Sequence, residues 1–320
     1  MILRWAAIIA AMLWPPLQSA ALGQNFPAKP IRMIIAESSG SGADILARQI
    51  GGKLTEAWGQ SVVVDSRTGA SGLIAAELVA RSAPDGYTIW MATMTQLIST
   101  TMYQRFMMAD EFMPIGRVAS TYFVIAANAA APVHSIAELI AYAKARPGQI
   151  LYGSTGQGSS THLCMELFRT MTGIELVHVP YKSAAMRLAD LAGGQLQVSC
   201  AVAPSVQAFV KSGRVRALGV TAAQRTTLVP GVPSIAESVP GYELVGWYGL
   251  LAPLGTPKAI VAQINSTVAK VLKTPEVQDR LIALGAEAAA STPAEFGVFL
   301  RNQTSKWAKV LRESNVRPTE

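Results

Sequence analysis

The sequence has few of the residues, and none of the motifs, that mark the common enzyme classes. It contains only three histidines, which lie far apart, and no Cys/His spacing typical of a zinc site. It also lacks G-x-S-x-G and G-x-x-x-x-G-K-[ST], and Thr161 stands where a glycine would complete G-x-G-x-x-G after Gly156 and Gly158. We therefore expect no metal, no cofactor and no catalytic residue.

Charge is also scarce, and no long apolar segment follows the N-terminus. Only 15% of the residues are charged, and the basic residues behind the net charge of +7 are scattered rather than clustered. This pattern favours a solubilising surface, so we expect no nucleic-acid partner. Half of the chain is hydrophobic, and 320 residues suffice for two domains of roughly 150 residues each.

The first 23 residues are typical of a secretory signal peptide. Arg4 precedes an apolar stretch from Trp5 to Leu13, and small residues follow, so that cleavage is feasible after Ala21 or Gly23. The apolar stretch is far shorter than the about 20 residues that span a bilayer. We expect residues 1–23 to be removed and the protein to be periplasmic.

Two cysteines, Cys164 and Cys200, would enter an oxidising compartment, where they could pair. Both lie among apolar residues on predicted helices or strands. This environment favours buried free thiols, with a disulfide as the alternative.

Strand and helix patterns alternate along most of the chain, which predicts an α/β fold with parallel sheets flanked by helices. A helix from Ala43 to Trp58 places Leu46, Ile50 and Leu54 on one face, and a second helix runs from Leu73 to Arg81. The predicted strands are Ile31 to Ala36, Val62 to Val64, Tyr87 to Ala92, Ile150 to Gly153, Leu176 to Val179, Leu196 to Val202 and Arg216 to Thr221.

Several helix starts carry a capping signal. Ser135 with Glu138 predicts a capping box, and Thr292 with Glu295 predicts another. Three late helices each begin with Thr-Pro, in which the threonine caps and the proline occupies the first helical position. These pairs are Thr256-Pro257, Thr274-Pro275 and Thr292-Pro293.

No long linker divides the chain, so two lobes would be joined by more than one short crossing. We place the crossings at the apolar strands near Val118 to Ala127 and Leu244 to Pro253. Lobe 1 would then comprise residues 24–122 and 248–320, and lobe 2 residues 123–247. A continuous two-domain division is the alternative.

Two segments rich in glycine and hydroxyl residues each follow a predicted strand and lead into a helix. Loop 1 is residues 37–44, and loop 2 is residues 154–162. Small residues let backbone amides converge at a helix N-terminus, which favours carboxylate or phosphate oxygens. Two such loops, one in each lobe, can face each other across a cleft. A loop 2 serine with His162 as its base would instead make a secreted hydrolase.

At these loops the chain resembles the receptors of tripartite tricarboxylate transporters, the Bug family of periplasmic solute-binding proteins. The resemblance runs from Phe26 to about Arg312. The motifs that carry it are Ala83-Pro84-Asp85-Gly86-Tyr87-Thr88, loop 2 with His162-Leu163, His178-Val179-Pro180-Tyr181-Lys182, Arg216-Ala217-Leu218 and Trp247-Tyr248-Gly249-Leu250-Leu251-Ala252-Pro253.

The resemblance implies a periplasmic binding protein fold of type 2, in which two α/β lobes joined by two crossing strands close like a flytrap on a ligand. In such receptors the two loops grip a carboxylate of the solute. The site residues that it implies here are Glu37, Ser38, Gly40, Ser41, Asp44, Thr93, Ser154, Thr155, Gly156, Gly158, Ser159, His162, Tyr181, Ala201 and Ser205. Among them, Asp44 fits a capping or water-holding role better than contact with an anion.

Departures from the family pattern concern the ligand more than the fold. The family's first loop usually reads Pro-Phe-Ala-Pro-Gly-Gly-Gly-Thr-Asp, whereas Glu37 here replaces the aromatic residue that would cover the ligand. A carboxylate facing the cleft would repel a simple dicarboxylate and favour an amine, amide or hydroxyl. Where the family commonly has Asn-Pro, this chain has Ser99-Thr100. Where the family frequently has an acidic residue, this chain has Ala201.

The sequence therefore predicts a monomeric, non-catalytic receptor that captures a small carboxylate or amide solute for the membrane subunits of a tripartite transporter. A sensor subunit that presents the solute to a membrane signalling partner is a further alternative.

Overall fold

The computed structural model describes residues 26–314 and 316, so the predicted signal peptide lies outside the described residues. The strands are β1 (Ile31–Ile35), β2 (Val62–Ser66), β3 (Thr88–Thr93), β4 (Phe112–Asn128), β5 (Leu151–Ser154), β6 (Val177–Pro180), β7 (Val198–Val202), β8 (Val215–Val220), β9 (Val245–Pro253) and β10 (Ala286–Ala288). All the strands predicted from the alternating pattern are present, with ends that differ by one or two residues.

Helices connect most of these strands. They are α1 (Gly42–Trp58), α2 (Leu73–Ala80), α3 (Met94–Met102), α4 (Met108–Glu111), α5 (Ile136–Lys144), α6 (Ser160–Thr172), α7 (Ala184–Gly193), α8 (Ala203–Lys211), α9 (Lys258–Val271), α10 (Pro275–Ala283) and α11 (Pro293–Glu313). Among the described residues, none of these helices has the length and apolar character needed to cross a membrane.

The strands form a continuous sheet in the order β2-β1-β3-β9-β4-β7-β5-β6, with β8 and β10 also paired to β4. β1 is parallel to β2 and β3, and β5 is parallel to β6 and β7. Each parallel set has helical crossovers, as the strand–helix alternation predicts. The antiparallel strands β4 and β9 run between the two sets.

The long strand β4 belongs to both halves of the molecule. Its residues 112–122 pair with β9, and its residues 123–128 pair with β7 and β8. The backbone changes its partners between Tyr122 and Phe123, beside the start of β9 at Val245. The lobe limits 24–122, 123–247 and 248–320 stay a prediction.

Burial explains why the first strand and helix form where they do. Along β1, Ile34 packs in one apolar cluster while Ile31, Met33 and Ile35 pack in another, so both faces of the strand are covered. On α1, Leu46, Ile50 and Leu54 are fully buried, as their helical spacing predicts.

Three of the capping predictions need correction. At α10, Pro275 is the first helical residue as predicted, but the Thr274 hydroxyl donates to the Val271 carbonyl at 2.8 Å and does not cap the helix. Pro257 is the N-cap residue of α9 rather than its first helical residue, because the Thr256 hydroxyl turns back to the Pro253 carbonyl at 2.8 Å. At α5 the Ser135 hydroxyl accepts from the Glu138 amide, but the Glu138 carboxylate accepts from the amide of His134, so only half of the capping box forms. The box of Thr292 and Glu295 is complete.

The prediction of free thiols was wrong, because Cys164 and Cys200 form a disulfide. Their apolar neighbours had favoured buried free thiols, with the disulfide as the alternative. Packing of α6 on β7 instead brings their Cα atoms to 6.3 Å, within the range that a disulfide requires.

Candidate ligand-binding cleft

Loop 1 is organised from inside the protein by Asp44. Ser41 caps α1, and its hydroxyl accepts from the Asp44 amide at 3.2 Å. The Asp44 carboxylate accepts in turn from the Gly40 amide and from Arg48 Nε, both at 2.9 Å. These hydrogen bonds, that from Arg48 above all, hold the pKa of the carboxyl below its usual value. Asp44 is buried, and its carboxylate already accepts hydrogen bonds from Gly40 and Arg48, which fits a capping role.

Loop 2 follows the same local plan with a histidine in place of the aspartate. The Ser159 hydroxyl accepts from the His162 amide at 3.2 Å, and His162 Nδ1 accepts from the Gly158 amide at 3.1 Å. Burial lowers the pKa of His162 to about 3, so the ring is neutral and carries its proton on Nε2. His162 therefore ties the loop to its helix.

A polar cluster supports loop 2 from behind. Ser154 Oγ lies 2.6 Å from His178 Nε2, and the His178 ring stacks on His162 with 4.1 Å between centroids. Tyr181 donates its amide to the Ser154 carbonyl at 2.9 Å and its hydroxyl to Asp190 at 2.7 Å. These groups use their hydrogen bonds within the protein, which fits a structural role.

The geometry does not favour the hydrolase alternative at Ser159 and His162. The serine hydroxyl receives the His162 amide and lies 3.1 Å from the Thr161 hydroxyl. The imidazole accepts from Gly158 through Nδ1, while Nε2 points toward Glu166, 3.8 Å away. A base positioned for a serine nucleophile would contact its hydroxyl instead.

A cavity of ≈ 260 Å³ lies between the two loops. This interlobe cavity is lined by Glu37, Ser41, Gly42, Ala43, Thr93, Met94, Thr95, Thr121, Phe123, Thr155, Ser160, Thr161, Ala184, Arg187, Val202, Ser205, Gly246, Trp247 and Tyr248. A larger groove of ≈ 620 Å³ lies at the surface near α3 and α11, but neither loop reaches it. Position between the lobes, rather than volume, therefore marks the interlobe cavity as the candidate site.

The predicted site residues divide into a lining set and a supporting set. Glu37, Ser41, Thr93, Thr155 and Ser205 line the interlobe cavity. The others lie outside its lining, in the two loops, directly after β6 and in β7. This supporting set is Ser38, Gly40, Asp44, Ser154, Gly156, Gly158, Ser159, His162, Tyr181 and Ala201. Ligand contact by any residue of either set stays a prediction.

Sequence reasoning missed Arg187 and did not include Tyr248 among the site residues. Arg187 lies on the buried face of α7 with Leu188 and Leu191. A charged residue on the apolar stripe of an amphipathic helix is a signal that could have identified it. Tyr248 lies on the crossing strand β9, and burial together with the charge of Glu37 raises its pKa to about 12.

No group of three or more His, Cys, Asp or Glu residues that could hold a metal ion occurs in the described part of the chain. The cavity lining instead consists mainly of hydroxyls, apolar side chains and the first residues of α1 and α6. Such a lining suits a small organic molecule.

Comparisons with known proteins agree with this geometry. Residues 46–316 match the family described as tripartite tricarboxylate transporter family receptor. Protein BugT of Bordetella pertussis is 31% identical, over 92% of this chain and 91% of BugT.

Solved structures of similar proteins confirm the predicted fold of two α/β lobes joined by crossing strands. Rpa4515 of R. palustris with adipate is 36% identical with a TM-score of 0.78, covering 92% of this chain and all 100% of that one. MatC of Rhodopseudomonas palustris with bound malate is 26% identical with a TM-score of 0.75, covering 89% of this chain and 100% of MatC. The chain therefore belongs to the tripartite tricarboxylate transporter receptor family, whose members are periplasmic solute-binding receptors.

Proposed function

We propose that the chain captures a small carboxylate-containing organic solute between its lobes and presents it to the membrane subunits of a tripartite tricarboxylate-type transporter. The observation that carries this proposal is the interlobe cavity, which receives residues from both loops and both crossing strands. A ligand there would contact both lobes at once, so its binding would favour the closed arrangement.

Two helix N-termini support a carboxylate as the bound group. The cavity lining includes Ser41, Gly42 and Ala43 at the start of α1, and Ser160 and Thr161 at the start of α6. Unpaired amides and the helix dipole at either start favour a negatively charged group, so one carboxylate of the solute suffices to use this feature. The similar proteins with adipate and with malate hold carboxylates, which supports the same ligand class here.

The remaining parts of the proposal follow from this role. The chain would be delivered to the periplasm by the predicted signal peptide of residues 1–23 and act there as a monomer. The five lining residues Glu37, Ser41, Thr93, Thr155 and Ser205 would contact the solute, while the supporting set holds the loops in place.

Isothermal titration calorimetry of the purified protein against adipate, malate, short amino acids and their amides tests the proposal. We expect one solute to bind at a 1:1 ratio, and ligand at a hundred times its Kd to stabilise the fold by about 2.7 kcal/mol. Small-angle scattering should show compaction on binding.

A pair of variants locates the binding to the cavity. Ser205 and Ser212 each donate to a backbone carbonyl three residues earlier, at 2.8 and 3.0 Å, but only Ser205 lines the cavity. Ser205→Leu should weaken binding about tenfold or more by filling the cavity, and Ser212→Leu should leave it unchanged. Equal affinities for the two variants would contradict the assignment. Binding without solute uptake in cells would indicate the sensor alternative.

A further inference from the structure

Two charged side chains line the interlobe cavity, and they come from opposite lobes. Glu37 follows β1 in loop 1, and Arg187 lies on α7 beyond loop 2. All the other residues of the lining are uncharged. The cavity therefore has one negative and one positive end.

Arg187 is buried without a counter-ion. It is 1% exposed, and its Nη1 donates to the Ser199 hydroxyl and, at 2.5 Å, to the Cys200 carbonyl. Its Nε is buried without a hydrogen-bond partner, and no carboxylate of the described residues forms an ion pair with it. Burial lowers its pKa only to about 10, so the guanidinium is charged at neutral pH. A buried cation of this kind requires an anion that the described protein does not supply.

Glu37 is the complementary case. Its Oε1 accepts from Thr93 Oγ1 at 3.1 Å and from Gln96 Nε2 at 3.0 Å. Its Oε2 is buried and has no donor among the described residues. Desolvation raises the pKa of this carboxyl, and an ammonium group at Oε2 would satisfy the open position and stabilise the charged form.

We infer that the interlobe cavity selects a small zwitterion, whose carboxylate pairs with Arg187 and whose protonated amine pairs with Glu37. This inference rests on the proposed function, because it assigns the two ends of the solute that the receptor captures. Arg187 and Glu37 are thus the residues that determine specificity.

Other ligand classes leave one of the two charges unsatisfied. A dicarboxylate would place its second carboxylate against Glu37, and a diamine would place one ammonium against Arg187. An uncharged solute of the same size would leave both buried charges without a partner. Only a molecule with both charges neutralises each end of the cavity.

A competition between matched ligands tests the inference. Short α- and ω-amino acids are titrated beside diacids of the same chain length. We expect the best zwitterion to bind at least about tenfold more tightly than its matched diacid. In the diacid complex, the hydrogen bond between the ammonium and Glu37 is replaced by a repulsion between two carboxylates. A preference for the diacid would overturn the inference and leave the proposed function intact. Failure of both ligand classes to bind would contradict both the inference and the proposed function.

Glu37→Gln is the sharper test, because it predicts a reversal rather than a loss. The glutamine oxygen can still accept from Thr93 and Gln96, while its amide would donate to a ligand carboxylate. The variant should bind the diacid more tightly than the zwitterion. An unchanged preference would contradict the role of Glu37.

Arg187→Gln should weaken every carboxylate ligand by at least about tenfold. Arg214→Gln, an exposed arginine outside the cavity, is its control for net charge. If both cavity variants folded and kept the ligand affinities and preference of the unchanged protein, the inference would fail.

Discussion

His162 shows how one buried side chain can hold a loop in place through a hydrogen bond to the loop backbone. Its Nδ1 accepts a hydrogen bond from the Gly158 amide, and its ring stacks with those of Tyr152 and His178 at centroid distances of 6.2 and 4.1 Å. Asp44 does the same for Gly40 in loop 1. Both residue types can accept from a loop amide four residues earlier, so the sequence difference conceals a shared local design.

The buried imidazole makes stability depend on pH. Its pKa is about 3 in the fold and about 6.5 when unfolded, so below pH 6.5 the unfolded state binds a proton that the folded state does not. The free energy of unfolding should fall by up to roughly 1.4 kcal/mol per pH unit as pH drops from 6.5 toward 5. Urea denaturation at several pH values measures the slope.

His178, whose pKa burial also lowers, should add to this slope. His162→Gln should make the slope shallower, whereas the same change at the exposed His134 should not. An identical slope in all three proteins would show that the imidazole of His162 is protonated in the fold.

At the scale of elements, each loop is set by a helix cap and by glycines with positive φ. Gly40 and Gly158 have φ of +80° and +71°, and each donates its amide to the third residue of the helix that follows. Only glycine adopts this conformation without cost, so the loop shape is encoded locally. The carboxyl ends of β1 and β5 then carry the loops toward the same cavity.

Comparing Gly158→Ala with Gly148→Ala distinguishes the effect of backbone strain on stability from the effect of a displaced loop 2 on ligand binding. Both glycines have similar φ, +71° and +68°, but an added Cβ meets Met102 at 3.1 Å only at Gly158. Each variant should lose about 1–2 kcal/mol of stability. Only Gly158→Ala should also weaken ligand binding, as measured by calorimetry. Equal binding by both variants would show that loop 2 tolerates displacement.

At the scale of the whole molecule, a disulfide crosslinks the lobe that contains loop 2, next to the Arg187 end of the interlobe cavity. The disulfide joins Cys164 on α6 to Cys200 on β7, and the Cys200 carbonyl accepts from Arg187. Helix, strand and guanidinium are thereby held in one arrangement.

The disulfide should contribute strongly to stability, because it closes a segment with a sequence separation of 36 residues. Chain-entropy arguments give roughly 3–4 kcal/mol for such a loop. Urea denaturation with and without reductant measures the difference. Alkylation of two thiols in the unreduced, unfolded protein, detected by mass spectrometry, would contradict the bond.

Local patterns sufficed to predict much of this molecule. Strand and helix periodicity indicated the parallel sets and the crossing strands β4 and β9, and glycine-serine segments marked both loops. These signals act over a few residues, because side-chain alternation, capping and positive φ are properties of neighbouring positions.

Only the tertiary structure decided which residues share the cavity. Arg187 lies 150 residues after Glu37 in the chain, and it faces the same space because two lobes pack around the crossing strands. The pairing of Cys164 with Cys200 depends likewise on α6 lying against β7. The sequence by itself determined the strands, helices and loops. Burial and long-range packing decided which charged side chains face each other across the cavity, because no local pattern specifies a distance between lobes.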